Sequence, residues 1–249
     1  MHIAIGNENK EVSEQYELLR GDALSFSVSV RFAISGNLRH LSHAEMLKVF
    51  QRACTRAGIP MVYSRGFNPH PRISLPLPRS VGVESDDELL YLRVQYTTPS
   101  DDLWLHSSML VDTQRFRDGL ANQLPDGCRL LSVATAQTTT PPQPCSATYV
   151  LALRPGFSDD DLKARIRFIL DSESLHIERS KGPKGRCTKS VDVRRFIKSI
   201  EFRNTQVIVE CSVGPAGSIR VEEILSLLNV NQATQAVPVR RTNVQWINN

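Results

Sequence analysis

No apolar run in this chain approaches the ~20 residues that a membrane-crossing helix needs, which excludes a span of that kind. No CxxC, CxxxCxxC or Cys/His cluster occurs, which argues against a structural zinc ribbon and against an iron–sulfur cluster held by this polypeptide. The phosphate-cradling GxGxxG and Walker patterns, the HExxH of zinc proteases and the GxSxG elbow of hydrolases are absent as well. The opening MHIAIGNENKEVSEQ has neither the basic start nor the apolar middle of a secretion signal. Cys54, Cys128, Cys145, Cys187 and Cys211 are odd in number and stand far apart, which fits reduced thiols rather than a disulfide framework. We therefore expect a cytoplasmic protein that meets no membrane and carries no metal or other cofactor of its own. Its 249 residues suffice for one large domain or two small ones.

What is present is unevenly placed charge. The net formal charge is only +4, but residues 38–79 hold Arg39, Lys48, Arg52, Arg56, Arg65, Arg72 and Arg79 against Glu45 alone, a net +6. Residues 179–203 hold nine basic side chains against Asp192 and Glu201, a net +7. The remainder is acidic, at −9. Two basic runs on an acidic chain outline an anion-binding footprint, with nucleic acid as the leading ligand. The plainer alternative is that these side chains solvate helix faces.

Patterning divides the chain in two. Residues 1–24 are a polar appendage with the weak helical spacing Val12, Tyr16, Leu19. Phe26 to Ile34 alternates as a strand with one buried face. Ser42 and Glu45 form a capping box before Met46, Leu47, Phe50, Cys54 and Ala57, and Gly58 with Pro60 ends that helix. Residues 61–79 hold five prolines or glycines, too broken for a central strand. A strand over Leu89–Tyr96, a helix bearing Phe116, Leu120 and Leu124, and a strand over Cys128–Ala136 complete the first half. The polar, proline-rich stretch 137–146 is the domain boundary. The second half repeats the order: a strand Thr148–Leu153, a helix capped by Ser158 and Asp161 and bearing Leu162, Ile166 and Ile169, middle strands Leu175–Glu178 and Thr205–Val213, a helix Arg220–Leu228 and a strand Ala236–Val244. The expected fold class is α+β: two tandem ferredoxin-like (βαββαβ) sandwiches over 25–136 and 147–249.

Residues 38–85 then carry a resemblance. Leu41-Ser42-His43, the helix ending Ala57-Gly58-Ile59-Pro60, and Tyr63-Ser64-Arg65-Gly66-Phe67-Asn68-Pro69-His70-Pro71-Arg72 stand in the order of a bacterial family of unknown role, the radical SAM-linked proteins. Weaker echoes follow at Asp192–Ile197, Ser218–Glu223 and Val239–Thr242. Members of that family resemble one another in being encoded beside, or fused behind, a radical S-adenosylmethionine protein. The resemblance covers roughly residues 25–245 and implies a radical SAM protein as partner. A radical SAM enzyme needs three closely spaced cysteines, and this chain has none. The chemistry would then sit on another polypeptide, and this one would bind or position its substrate.

The residues expected to contact RNA or another phosphate-rich ligand are Arg39, His43, Arg65, Phe67, Asn68, His70, Arg72, Lys181, Lys184, Arg186, Lys189 and Arg194. In the loop 63–72, glycine and prolines hold an extended backbone, arginines take phosphate oxygens, and Phe67 or Tyr63 stacks on a base. In the glycine-interrupted loop 181–189, mobile cations suit phosphates without reading sequence. Arg65 and Arg72 pairing with carboxylates around a buried Phe67, and a merely solvated hairpin tip at 181–189, are the structural alternatives. His40, His43 and His70 invite a metal or acid–base story, but a lone HxxH is poorly specific, and ordinary hydrogen-bonding histidines are expected. Asp192 beside Arg194 and Arg195 reads as an ion-paired turn. The leading functional expectation is a non-catalytic accessory protein of a radical SAM enzyme. The rivals are an RNA-processing or RNA-modifying enzyme using His43 or His70, and a protein-interaction scaffold.

Overall fold

β1 (Ser25–Ile34) buries Val28, Val30, Phe32 and Ile34 on the face its alternation predicts. In the computed structural model, which describes residues 25–95, 112–136, 140–156, 159–181 and 187–247, this strand enters a mixed α+β architecture. Four α-helices pack on a sheet of eight strands, and a separate two-stranded ribbon stands off it, among the described residues. The appendage 1–24, the Ser158 cap and residues 137–139 of the boundary lie outside the described residues.

α1 (His43–Arg56) starts at the expected capping box, where Ser42 Oγ accepts from the Glu45 amide and Glu45 Oε2 accepts from the Ser42 amide at 2.8 Å. Ser42 Oγ also donates to Glu45 Oε2 at 2.7 Å, and this bond first, then the Ser42 amide, with Lys48 nearby, hold the Glu45 carboxyl below its ordinary range. The helix ends as Gly58 predicts. Gly58 has φ +68, a left-handed conformation that glycine adopts without steric cost. Its amide bonds Thr55 O at 3.1 Å, while the Ile59 amide bonds Cys54 O at 3.0 Å, closing a Schellman turn. Met46, Phe50, Ala53 and Cys54 face the sheet, and Phe50 meets Phe32 edge-on at 4.6 Å. Replacing Phe50 by alanine would cost about 3–5 kcal/mol.

β2 (Ile73–Ser74) is only two residues long, as the broken 61–79 stretch allows. β3 (Glu84–Gln95) starts earlier than its apolar pattern suggests, at the acidic run Glu84-Ser85-Asp86-Asp87-Glu88. α2 (Thr113–Ala121) and β4 (Cys128–Ala136) close the half. The strand order is β4-β1-β3-β2, with every neighbour antiparallel.

The second half gives β5 (Gln143–Ala152), α3 (Asp159–Asp171), β6 (His176–Lys181), β7 (Cys187–Asp192), β8 (Ile197–Arg203), β9 (Gln206–Ser212), α4 (Val221–Leu228) and β10 (Arg240–Ile247). Its sheet runs β10-β5-β9-β8, again antiparallel throughout. One expectation is corrected here. Leu175–Glu178 does not supply the middle strand; that place belongs to β8, while β6 and β7 pair only with each other. The short alternation at 175–178 is equally at home in a free ribbon, and β8 buries only Ile197 and Ile200 of its seven residues. β5 also begins within the proline-rich stretch expected to link the halves, Pro144 standing opposite Trp246 beside a register shift.

Each half has its own core. Val28, Phe32, Phe50, Leu90, Leu92 and Leu120 form one, and Leu151, Leu162, Ile169, Val209, Ile224 and Leu228 belong to the other. The sheet nevertheless continues between them through two parallel pairs, Arg240 with Glu84 and Arg241 with Ser85. The acidic opening of β3 is what makes this seam. Arg240 reaches Glu84 at 2.8 Å and Asp86 at 3.1 Å, Arg31 pairs with Asp87, and Arg241, wholly buried, grips Glu88 with its nearest bonds at 2.5 and 2.6 Å. Val83, from the first half, packs in the second core.

Candidate nucleic-acid interface

Residues 61–72 fold back on themselves beside α1. Met61 bridges to Val94 and Tyr63 to Pro71, the Val62 amide bonds Arg93 O at 2.8 Å, and the Arg72 amide bonds Val62 O at 2.7 Å. The tip is closed by a reciprocal pair: the Ser64 amide donates to His70 O at 2.8 Å and the His70 amide to Ser64 Oγ at 3.0 Å. Inside that closure Arg65, Gly66, Phe67, Asn68 and Pro69 all stand in solvent. Gly66 has φ +136, a conformation that side chains disfavour. Phe67 does not plug the core; its relative exposure is 108%. An aromatic ring held wholly in water by a braced loop has no packing role among the described residues.

Beside the loop, α1 turns a polar stripe outward. Lys48, Arg52, Thr55 and Arg56 are exposed, opposite the buried stripe of Met46, Phe50, Ala53 and Cys54. An open groove of about 360 Å³ lies between helix and loop, lined by Gln51, Arg52, Thr55 and Arg56 on one side, Tyr63 and Pro71 on the other, and Met61 beneath. Lys48, Arg52, Arg56, Arg65 and Arg72 make no salt bridge among the described residues. Cations without carboxylate partners, next to exposed rings, are what an unpaired nucleic-acid strand requires: charge for phosphates and π-faces for bases.

The other expected contacts are placed differently. Arg39 lies in a short 3₁₀ turn (Gly36–His40) and donates to Gly36 O at 2.7 Å. His43 is half-buried at the start of α1 and lines a separate crevice of about 10 Å³ with Arg79 and Glu88. His70 is exposed on the loop tip and does not line that crevice. Arg79 feeds its guanidinium to the carbonyls of Leu38, Arg39, Leu41, Ser80 and Val83, bracing the seam. Arg194 donates to Leu170 O at 2.8 Å, Ser172 O at 3.1 Å and Ile197 O at 2.9 Å, which occupies its donors at the end of α3. Asp192 is not in an ion pair with its neighbours; its Oδ1 accepts from the Leu175 and Arg194 amides at 2.9 and 3.1 Å, and these bonds depress its pKa, the Leu175 bond most. Lys189 is exposed on β7. Lys184 and Arg186 lie outside the described residues, as does the side chain of Lys181.

Other cations of the second run have partners too: Arg179 with Glu223 at 2.7 Å, Lys198 with Glu210 at 3.0 Å, Arg203 with Glu201 at 2.7 Å, and Arg195 over the Phe196 ring at 4.8 Å. Lys48, Arg52 and Arg56 are not among the expected contacts, yet they stand exposed on the helix beside the loop. Their i, i+4, i+8 spacing opposite the apolar stripe is the signal that marks them. Among the described residues no group of three or more histidines, cysteines and carboxylates is arranged to hold a metal ion. Burial pushes the thiols of Cys54, Cys128 and Cys211 up to about 12, so none offers a thiolate at neutral pH.

Residues 28–232 match the model of a family described as an uncharacterized protein conserved in bacteria (DUF2344), and the chain belongs to that family. No curated protein matches this chain significantly. Among solved structures, the first two RRM domains of yeast poly(U) binding protein (Pub1) align with 90% of this chain and 99% of that one at 10% identity. The TM-score is 0.18, too low to carry an argument about fold or ligand.

Proposed function

We propose that this member of the bacterial family is a non-catalytic accessory protein that binds RNA, or a similarly phosphate-rich substrate, for a radical SAM enzyme. One observation carries the binding part: Arg52 and Arg56 line a groove with Tyr63, Arg65 and Arg72 stand exposed on the loop that presents Tyr63 and Phe67 to solvent, and none of these four cations makes a salt bridge among the described residues. The two halves, 25–136 and 147–249, are read as ferredoxin-like units, because each repeats the strand order fourth, first, third, second with antiparallel neighbours. The radical SAM link rests on the motif of residues 38–85 and on the missing cluster cysteines. In this reading the chain needs no cofactor and works in the cytoplasm.

Fluorescence anisotropy with bulk tRNA and single-stranded RNA at several salt concentrations tests it. Four or five phosphate contacts predict a slope of about −3 in log K against log salt. The Arg52→Glu/Arg72→Glu variant should weaken binding more than tenfold and flatten that slope by about one unit or more. Salt-independent binding, or variants that bind as the parent does, would overturn the reading. Recovery of a radical SAM protein with this chain from nuclease-treated lysate supports the partnership, and its absence at native levels removes it.

A further inference from the structure

From the groove between α1 and the 61–71 loop we infer a slot for one unstacked nucleobase, so that the surface selects single-stranded RNA over duplex. This rests on the RNA-binding reading above and specifies its ligand.

The lining of the groove is divided by chemistry. Met61, Pro71 and the Tyr63 ring supply apolar faces, while Gln51 and Thr55 supply polar groups. The Gln51 side-chain amide has no hydrogen-bond partner among the described residues, so both its donors and its acceptor are open to a base edge. Thr55 Oγ1 donates to Gln51 O at 2.9 Å and keeps lone pairs that accept. Tyr63 is half exposed and lines the groove. The volume of about 360 Å³ lies at the small end of the range for ligand sites, suited to a single nucleotide.

Phosphate placement agrees. Arg52 and Arg56 are one turn apart, about 6 Å along the helix axis. That spacing lets them take the phosphates on either side of one nucleotide whose base enters the groove. Phe67, beyond the Ser64–His70 closure, offers a second stacking face for a neighbouring base, and Arg65 and Arg72 flank it. In a duplex the bases are stacked and their edges paired, so neither ring nor amide reaches them without unpairing. A surface built only for phosphates would need no groove and no exposed rings.

The test uses the full chain and a twelve-nucleotide RNA carrying one 2-aminopurine, single-stranded or annealed to its complement. The expected results are tighter binding of the single strand, by more than about tenfold, and a change in 2-aminopurine fluorescence on binding. Tyr63→Ala should weaken single-strand binding about five- to hundredfold and abolish the fluorescence change, while Tyr63→Phe keeps both. Gln51→Leu should alter the preference among bases and leave the salt slope unchanged. Equal affinity for single strand and duplex, or a fluorescence change untouched by Tyr63→Ala, would overturn the slot while leaving phosphate-driven RNA binding in place. Failure of both RNAs to bind would instead remove the RNA reading itself.

Discussion

Residues 38–79 and 179–203 carry similar net charge, +6 and +7, yet the structure uses them in different ways. In the first run, Arg52, Arg56, Arg65 and Arg72 face solvent with no salt bridge among the described residues, Lys48 acts on Glu45 without forming one, and Arg39 and Arg79 are bound to backbone. In the second, Arg179, Arg194, Lys198 and Arg203 are tied to carboxylates or carbonyls. The cause is the acid available in three dimensions. Glu45 is the first run's sole carboxylate and it caps α1, whereas Glu201, Glu210 and Glu223 sit on β8, β9 and α4 within reach of the second run. Summed charge thus ranks the two runs almost equally, and partner supply separates them: the first run leaves most of its cations unpaired, whereas among the described cations of the second Lys189 alone stands exposed without a partner. The weaker motif echoes point the same way, since Arg194, Glu223, Arg240 and Arg241 all act in bracing contacts.

The sharpest way to break this distinction is to remove one cation of each kind. Arg241→Met leaves Glu88 charged and buried without its partner, and should destabilise the protein by about 3–5 kcal/mol. The Arg52→Ala/Arg56→Ala variant touches exposed side chains only and should stay within about 0.5 kcal/mol of the parent. Denaturant midpoints measure both. Similar losses for the two variants would mean that the α1 stripe is structural after all.

A smaller contrast lies between Arg194 and Arg72. Arg194→Ala strips two backbone carbonyls at the end of α3 and one at the start of β8 of their donor, at a cost of about 1–3 kcal/mol, and should leave RNA affinity unchanged. Arg72→Ala should do the reverse. A thermal melt and an anisotropy titration on each variant complete the cross. An Arg194 variant that loses RNA affinity while keeping its melting temperature would return the second run to the binding surface.

Much of the fold was legible locally. The alternation of Phe26–Ile34 and Cys128–Ala136, the Ser42/Glu45 box and Gly58 all act within a few residues, and the structure keeps each. What escaped depends on distant partners. Glu84–Glu88 has no apolar alternation, so the expected strand starts only at Leu89; Arg31, Arg240 and Arg241 arrive from β1 and β10 to neutralise the acids, and β3 runs through them. Likewise the expected RNA contacts named Arg65, Phe67 and Arg72 from one continuous motif. The cations of α1 stand beside them only because residues 61–72 fold back next to that helix, where Arg52 and Arg56 share a groove with Tyr63 and Pro71.

The smallest expected effect concerns how one tied cation responds to acid. Burial alone would raise the Glu223 carboxyl, but Arg179 and the Arg220 amide, the latter at 2.9 Å, bring it below the ordinary carboxylate range. A depressed carboxylate binds fewer protons folded than unfolded. Its contribution is therefore complete above the unfolded value, about 4.3, and disappears as pH falls through the lower folded value. Arg179→Met removes that cause and leaves burial to push the carboxyl up. The variant should be less stable than the parent at pH 7, and the gap in denaturant midpoint should narrow toward pH 3. Arg179 also donates to Ser218 O at 2.8 Å, a bond that does not titrate. A gap constant with pH would assign its role to that carbonyl and make the Glu223 pair incidental, so the second run's cations would brace the fold through backbone rather than through charge.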